Sequence, residues 1–444
     1  MKIIVWGINY APELTGIGPF NTALCEFLAE NGHSVEMVTS FAYYPEWKKN
    51  TQDQRRFYRN DQINGVTVRR CWAYIPRRTS AFRRIVHEGS FVVSSLARVI
   101  LIERSSLFVV VSPPLLLGMA AWVASVVTRT PFVFHVQDLQ PDAAVGLGML
   151  KKGWLTKVLY KIESFAYAKA ARVSGISNGM LEMFRKKSVP EGKLIMFPNG
   201  IRLPSTSANR GMFRARHRIS ENNFLAIYSG NLGVKQGLNI LIEAAKELKV
   251  RRLARVNDSE SGDLITIVVA GDGAMRNALV ESVANAQLKN VLLLPLQSET
   301  EYREMLADAN CTLITQQSGT GSFFFPSKLM SAAAAAKPVV TVADEDSELA
   351  RAVRSGGFGI NVLPDRPDLL ANTLIMLSSE ETQPSVQSKM GVAGIQFAQQ
   401  FEMTSILKKF CEQLKAVVEG ETIRPVARDH VIVSKKHDAN SAGK

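Results

Sequence analysis

Paired cysteines, a cleavable leader and acidic residues in proportion to basic ones are all missing from this chain, and each absence closes off a class of protein. The four cysteines in 444 residues, Cys25, Cys71, Cys311 and Cys411, lie far apart. That spacing excludes a disulfide framework and a paired-cysteine zinc site, and suits buried thiols in a reducing compartment. The first residues, Met1-Lys2-Ile3-Ile4-Val5-Trp6-Gly7, read as a buried strand ending in glycine. They lack the apolar core and small-residue cleavage site of a signal peptide, so the expected compartment is the cytoplasm. One stretch, residues 105–128, is uncharged and long enough to span a bilayer. Pro113-Pro114 interrupts it, which favours a strand, a turn and a short apolar helix over a membrane span.

What is present is a globular composition, 46% hydrophobic and 21% charged, with a net charge of +13. The excess of base is concentrated at Arg55, Arg56, Arg59, Arg69, Arg70, Arg77, Arg78, Arg83 and Arg84, interleaved with Phe57, Tyr58, Trp72, Tyr74 and Phe82. Such a stretch is either a solvated basic surface or a face that docks on anionic lipid headgroups, that is, on the inner face of the cytoplasmic membrane. No nucleic-acid recognition motif accompanies it, so no nucleic-acid partner is expected.

The apolar runs alternate with helical patterns twice over. Strands are expected at residues 3–7, 34–39, 66–71, 107–111, 132–136 and 173–176, with a helix at 19–31. After a polar stretch at 205–210 the pattern restarts with strands at 224–230, 264–271, 291–294, 312–315 and 338–342. Connections long enough for crossovers imply an α/β fold with two Rossmann-like, doubly wound parallel sheets. The expected domains are residues 1–203 and 204–401. A last helix, about 402–420, crosses back to the first domain, and 421–444 has the composition of a disordered tail. In such sheets ligands sit beyond the carboxyl ends of the strands, which places the expected chemistry in a cleft between the two domains.

Several strand-end loops carry residues suited to a phosphorylated ligand. Gly16 and Gly18 follow the first strand and precede a helix, but the full dinucleotide glycine pattern is absent, and no acid ends the second strand. Gly230-Asn231-Leu232-Gly233-Val234-Lys235 occupies the same place in the second half, where Lys235 beside a helix start suits a diphosphate. Gly271 and Gly273 form another turn that permits close backbone approach. Pro326-Ser327-Lys328-Leu329 enters a small-residue helix containing Ser331, supplying amides, a hydroxyl and a cation together. His135, Gln137 and Asp138 end a strand in the first half, where the histidine either contacts a sugar hydroxyl or serves the fold. Asp344-Glu345-Asp346 mimics an acidic metal motif but reads equally as a solvated loop; no metal and no cofactor are expected.

Taken in order, these segments resemble retaining glycosyltransferases of family 4. The similarity spans roughly residues 1–420 and includes Asn31-Gly32-His33-Ser34-Val35, Ser174-Gly175-Ile176-Ser177-Asn178 and Phe197-Pro198-Asn199-Gly200-Ile201. Within that family the loop from Asn9 to Gly18, Tyr228-Ser229-Gly230-Asn231 and Leu294-Pro295-Leu296-Gln297-Ser298 are most similar to enzymes of colanic-acid and related exopolysaccharide assembly. The resemblance implies a GT-B fold, a GDP- or UDP-linked sugar held mainly by the second domain, and transfer with retention to a lipid-diphosphate-linked oligosaccharide. By the same resemblance Lys235 holds the diphosphate, with Lys328 sharing that role. Gly16 and Gly18 lie near sugar and phosphates, Leu296 and Gln297 near the base, and His135 at the transferred sugar. Glu13 and Asp138 are candidates for orienting the acceptor. Phe323 and Ser331 stand where the family has two glutamates, which keeps open two other readings: a scaffold subunit that retains the fold, and an epimerase-like sugar-nucleotide enzyme.

Overall fold

A computed structural model describes residues 1–13, 16–44, 46–78, 80–146, 153–203, 209–255, 265–320, 328–379 and 383–420. The expected disordered tail at 421–444 lies outside the described residues, as do Pro326, Ser327 and Phe323. The chain divides into two compact units, Met1–Gly200 joined by the segment from Phe401, and Ile201–Gln400.

The first unit holds an eight-stranded sheet. Its strands are β1 (Lys2–Trp6), β2 (Ser34–Ser40), β3 (Tyr58–Ile63), β4 (Val66–Cys71), β5 (Leu107–Ser112), β6 (Phe132–Val136), β7 (Arg172–Gly175) and β8 (Leu194–Met196). They are ordered β3-β4-β2-β1-β5-β6-β7-β8. All neighbours pair in parallel except β3 with β4, an antiparallel edge hairpin turning through Asn64-Gly65. Alternation along the strands builds two cores, as a pleated sheet covered on both faces requires. Ile4 and Trp6 of β1 face one core, with helices Ala81–Ile100, Leu117–Thr128 and Trp154–Lys169. Ile3 and Val5 face the other, with helices Gly18–Glu30 and Met403–Glu419. The uncharged stretch resolves into β5 and the helix Leu117–Thr128, and no helix of the described residues is long and apolar enough to cross a membrane.

The helical pattern at the end of the chain breaks at Phe401-Glu402, where the Glu402 carboxylate caps Met403–Glu419 by accepting from the amides of Thr404 and Ser405. That last helix belongs to the first unit. Phe410 stacks on Phe197 at 3.8 Å, and Gly200 leaves no room for a Cβ against the Met403 backbone. Cys411 lies 3.4 Å from His33 Nε2, and the other ring nitrogen meets the amino terminus.

The second unit is a six-stranded, wholly parallel sheet. Its strands are β9 (Phe224–Ser229), β10 (Ile265–Ala270), β11 (Val291–Leu294), β12 (Cys311–Thr315), β13 (Val339–Val342) and β14 (Gly359–Val362). Their order is β11-β10-β9-β12-β13-β14. β3 is a polar edge strand, β8 is only three residues long and β14 opens on glycine, so all three escape the sequence reading.

Candidate functional site

In the second unit three glycine turns meet beyond the end of β9. Gly230, Gly271 and Gly273 have φ of 136°, 151° and 154°, values that disfavour any side chain. A Cβ on Gly271 would strike the Gly230 carbonyl oxygen, and one on Gly273 would lie 2.6 Å from the Leu232 oxygen. Backbone hydrogen bonds tie the two loops together. Gly230 donates to Ala270 at 2.8 Å, Leu232 to Asp272 at 2.8 Å, and Met275 to Leu232 at 2.8 Å.

The side chain of Lys328 lies across this seam, and a Cβ on Gly230 would collide with its Nζ. Nζ donates to the Tyr228 hydroxyl at 3.2 Å and sits 4.7 Å from the centre of that ring. The same hydroxyl donates to the Asn231 carbonyl at 2.8 Å. Tyr228, buried on β9 and given no role by the sequence beyond its place in the family resemblance, therefore positions both the lysine and the loop. Burial, and then the like charge of Lys235, pull the Lys328 ammonium down to about 8. Lys235 belongs to a short turn whose start is braced by Gln236, accepting from the Gly233 amide at 3.1 Å. The Lys235 carbonyl accepts from the Gln317 amide at 3.0 Å, and Gly237, at φ 59°, lets Gln317 approach. A buried lysine laid on strand-end glycines, with a second positive charge near enough to lower its pKa, is an arrangement able to hold a polyanion.

Other predicted residues fall around this seat with different roles. Leu296 is 54% exposed on the loop after β11, offering an apolar surface to a flat ring. Gln297 turns its amide onto the Pro295 carbonyl at 2.9 Å. Leu329 is fully buried, so it anchors the helix Lys328–Ala334 and leaves only backbone for a ligand. Ser331 shares a hydrogen bond with the Tyr302 hydroxyl. The acidic triple is committed to the fold. Asp344 accepts from the Ser318 hydroxyl and the Gly319 amide, both at 2.7 Å, while Glu345 pairs with Arg354.

In the first unit the loop after β1 is braced by charge. Glu13 is buried; its carboxylate accepts from Asn9 Nδ2 at 2.8 Å and from the amides of Tyr43 and Tyr44, both at 3.0 Å. Burial raises its pKa, opposed by those hydrogen bonds and by Arg70. The buried Arg70 guanidinium donates to Asp61 at 2.7 Å, to the Ala11 carbonyl at 2.7 Å and to the Ser40 carbonyl at 3.2 Å. Gly18 makes room for the Glu13 carbonyl, and Gly16, at φ 69°, lies beneath the Tyr44 ring. Glu13 thus clamps this loop to the end of β2.

His135 is 1% exposed, and both of its ring nitrogens are engaged. Gln137 Nε2 donates to His135 Nε2 at 2.8 Å, which leaves Nδ1–H to donate to Ser174 Oγ at 3.0 Å. Burial pulls its pKa down to about 3, so the ring is neutral. Gln137 and Asn199 exchange amide hydrogen bonds of 3.0 and 2.9 Å across the strand ends. The ring serves the fold here, and Asp138, half-buried at the next turn, is the strand-end carboxylate. Of the basic stretch, Arg55, Arg56, Arg77, Arg78, Arg83 and Arg84 are exposed. Arg59 differs from them: it is half-buried and pairs with Asp53 and Asp61, so its charge is spent within the unit.

Comparison with known proteins gives this geometry a family. Residues 15–200 match the glycosyl transferase 4-like domain, and residues 209–396 match glycosyl transferases group 1. WcaI of Escherichia coli (strain K12), named as a colanic acid biosynthesis glycosyl transferase, is 30% identical over 380 residues, 83% of this chain and 90% of its own. WbjE of Pseudomonas aeruginosa, a glycosyltransferase by name, is 24% identical over 304 residues, 66% of this chain and 70% of its own. Among solved structures, sucrose-phosphate synthase from Thermosynechococcus elongatus superposes with a TM-score of 0.72 at 16% identity, covering 95% of this chain and all of that one. Anabaena HepE in complex with UDP-glucose does so at 0.64 and 15% identity, covering 94% of this chain and all of that one. The chain belongs to the GT-B glycosyltransferases of family 4, among the relatives of the colanic acid enzymes.

Proposed function

We propose that this glycosyltransferase moves a sugar from a GDP- or UDP-linked donor to a lipid-diphosphate-linked oligosaccharide, with retention, at the inner face of the cytoplasmic membrane. The observation that carries the donor half is the Lys328 side chain lying across the glycine seam beyond β9, with the charge of Lys235 near enough to lower its pKa. A nucleotide diphosphate placed there meets two cations and strand-end amides, and Leu296 offers a surface for the base. The HepE structure with UDP-glucose shows the same fold accepting such a donor in another protein.

In this reading the bond from the anomeric carbon to the diphosphate oxygen breaks as the acceptor oxygen bonds to the same face of that carbon. The negative charge developing on the departing diphosphate is stabilised by Lys235, Lys328 and backbone amides, a preorganised electrostatic contribution. The departing phosphate takes the hydroxyl proton, so no side-chain base is needed, and no cofactor or bound metal is assigned a step.

The test is donor turnover by the purified protein with a panel of GDP- and UDP-sugars, with and without native lipid extract, and NMR assignment of the product anomer. Transfer of one sugar, dependent on lipid and with its anomeric configuration kept, is the expected result. Failure to bind any donor in calorimetry would give the protein to the scaffold reading. Conversion of a donor without acceptor to an isomeric sugar nucleotide would give it to the epimerase-like one.

A further inference from the structure

The first unit carries a surface that the donor chemistry leaves unused. Helices Ala81–Ile100, Leu117–Thr128 and Trp154–Lys169 lie side by side over one face of the sheet, the second packed against both others. Each leads to the amino end of the next parallel strand, so all three begin at the sheet's carboxyl edge. That is the edge at which Gln137, Asp138 and the loop after β1 are found.

The first two turns of these helices leave apolar side chains in solvent. Phe82 is 73% and Trp154 76% exposed, and Ile85, Met119, Val123 and Leu155 are exposed as well. The middle helix has no charged residue anywhere along it, although its outer side faces water. Outer faces of helices in a globular domain are ordinarily polar, and contiguous apolar exposure marks an interaction surface. Four exposed arginines, Arg77, Arg78, Arg83 and Arg84, border this surface at the same edge. Among the described residues no ion pair uses them; the pairs of this region go to Arg59, Arg69 and Arg70.

Charge selects the occupant. A second copy of this chain, itself at +13, would bring like-charged rims together across a two-fold contact. A bilayer containing anionic phospholipid offers phosphates to the arginines and, just beneath them, acyl chains to Phe82 and Trp154. We propose that this three-helix edge is the surface on which the protein lies on an anionic membrane, with the strand ends of the first unit turned towards the lipid. The inference rests on the reading that the acceptor is lipid-borne, and it adds where on the fold that acceptor arrives.

The experiment is co-sedimentation of the full chain with vesicles of phosphatidylcholine alone, or of phosphatidylcholine mixed with phosphatidylglycerol. Three proteins are compared: wild type, Phe82→Asp/Trp154→Asp, and Arg77→Gln/Arg78→Gln/Arg83→Gln/Arg84→Gln. Both variants change exposed side chains only, and retained donor turnover and cooperative melting confirm their fold. Wild type should bind the mixed vesicles and not the neutral ones. The arginine variant should weaken binding roughly a thousandfold, and the Phe82/Trp154 variant should weaken it measurably as well. Equal wild-type binding to both vesicle types, or variants that bind as wild type does, would overturn the proposal. So would self-association abolished by the Phe82/Trp154 variant without vesicle binding. Should wild type turn over no donor yet show the expected vesicle pattern, the transfer reading fails and the membrane surface stands.

Discussion

The two units solve one problem, holding a loop beyond the first strand of a parallel sheet, with opposite materials. In the first, buried charge does it. Glu13 gathers two backbone amides and Asn9, and Arg70 ties Asp61 to the Ala11 and Ser40 carbonyls. In the second, backbone holds backbone: Gly230, Gly271 and Gly273 bring two loops into contact too close for side chains, and the Lys328 side chain lies across the seam. A loop braced by its own carboxylate has its electrostatics satisfied within the fold. A loop braced by amides and glycines, with the Lys328 ammonium held by a tyrosine hydroxyl, suits the polyanionic donor proposed above. Donor binding is therefore expected to depend on the second unit's glycines and lysines and to be indifferent to the first unit's charges.

The largest expected effect tests the materials directly. Gly271→Ala must clear the Gly230 carbonyl at a φ of 151°, and should lower donor turnover at least about a hundredfold, with a backbone strain of about 1–3 kcal/mol in thermal melts. Gly16→Ala, at φ 69° with only the Tyr44 ring nearby, should cost about 1 kcal/mol. Equal costs at the two sites would erase the contrast. Of comparable size, Lys235→Ala should reduce turnover by about 10²–10³ with the fold intact. Glu13→Gln, by contrast, should cost about 1–3 kcal/mol of stability while donor affinity stays as it was. Unchanged turnover in Lys235→Ala would remove that lysine from the donor site.

A smaller effect appears in pH profiles. Lys328 loses its proton near 8, so diphosphate affinity should fall as pH rises through that value. Stability should move the other way, because the unfolded lysine still binds a proton between pH 8 and its ordinary 10.5 and the folded one does not. Tyr228→Phe removes the hydroxyl that holds Nζ and should shift the affinity midpoint, whereas a purely structural tyrosine would leave that midpoint in place. A further effect belongs to the first unit. His135, neutral down to about 3, binds its proton only on unfolding, so stability should decline as pH falls below 6.5. His135→Gln should flatten that limb of a pH-stability curve, and an unaltered limb would show that other groups set it.

What the sequence discloses follows from what is local. Lys235, Gly271 and Gly273 are found because a strand, a loop and a helix start are written consecutively, and the break at Phe401-Glu402 because a helical period is interrupted there. Tyr228 stands in a segment that carries the family resemblance, but the role of its hydroxyl is not legible there, because it gains meaning only when Lys328 arrives 100 residues later. The same is true of Gln137 and Asn199, 62 residues apart, whose pairing surrounds the histidine that the sequence made a candidate for sugar contact. Arg59 looks like its exposed neighbours until Asp53 and Asp61 are folded against it.

The closing helix Met403–Glu419 has a consequence for synthesis. The first unit's sheet is complete once the ribosome has passed Met196, yet Ile195, Phe197 and their neighbours stay uncovered until Phe410 and Leu414 emerge. Roughly 200 residues separate the two events, on the order of 10–40 seconds of elongation. For that interval the second unit is made and can fold while the older one stands with an open apolar flank. Truncation after Gln400 should therefore injure the amino-terminal half of the enzyme, although every residue removed comes from the other end.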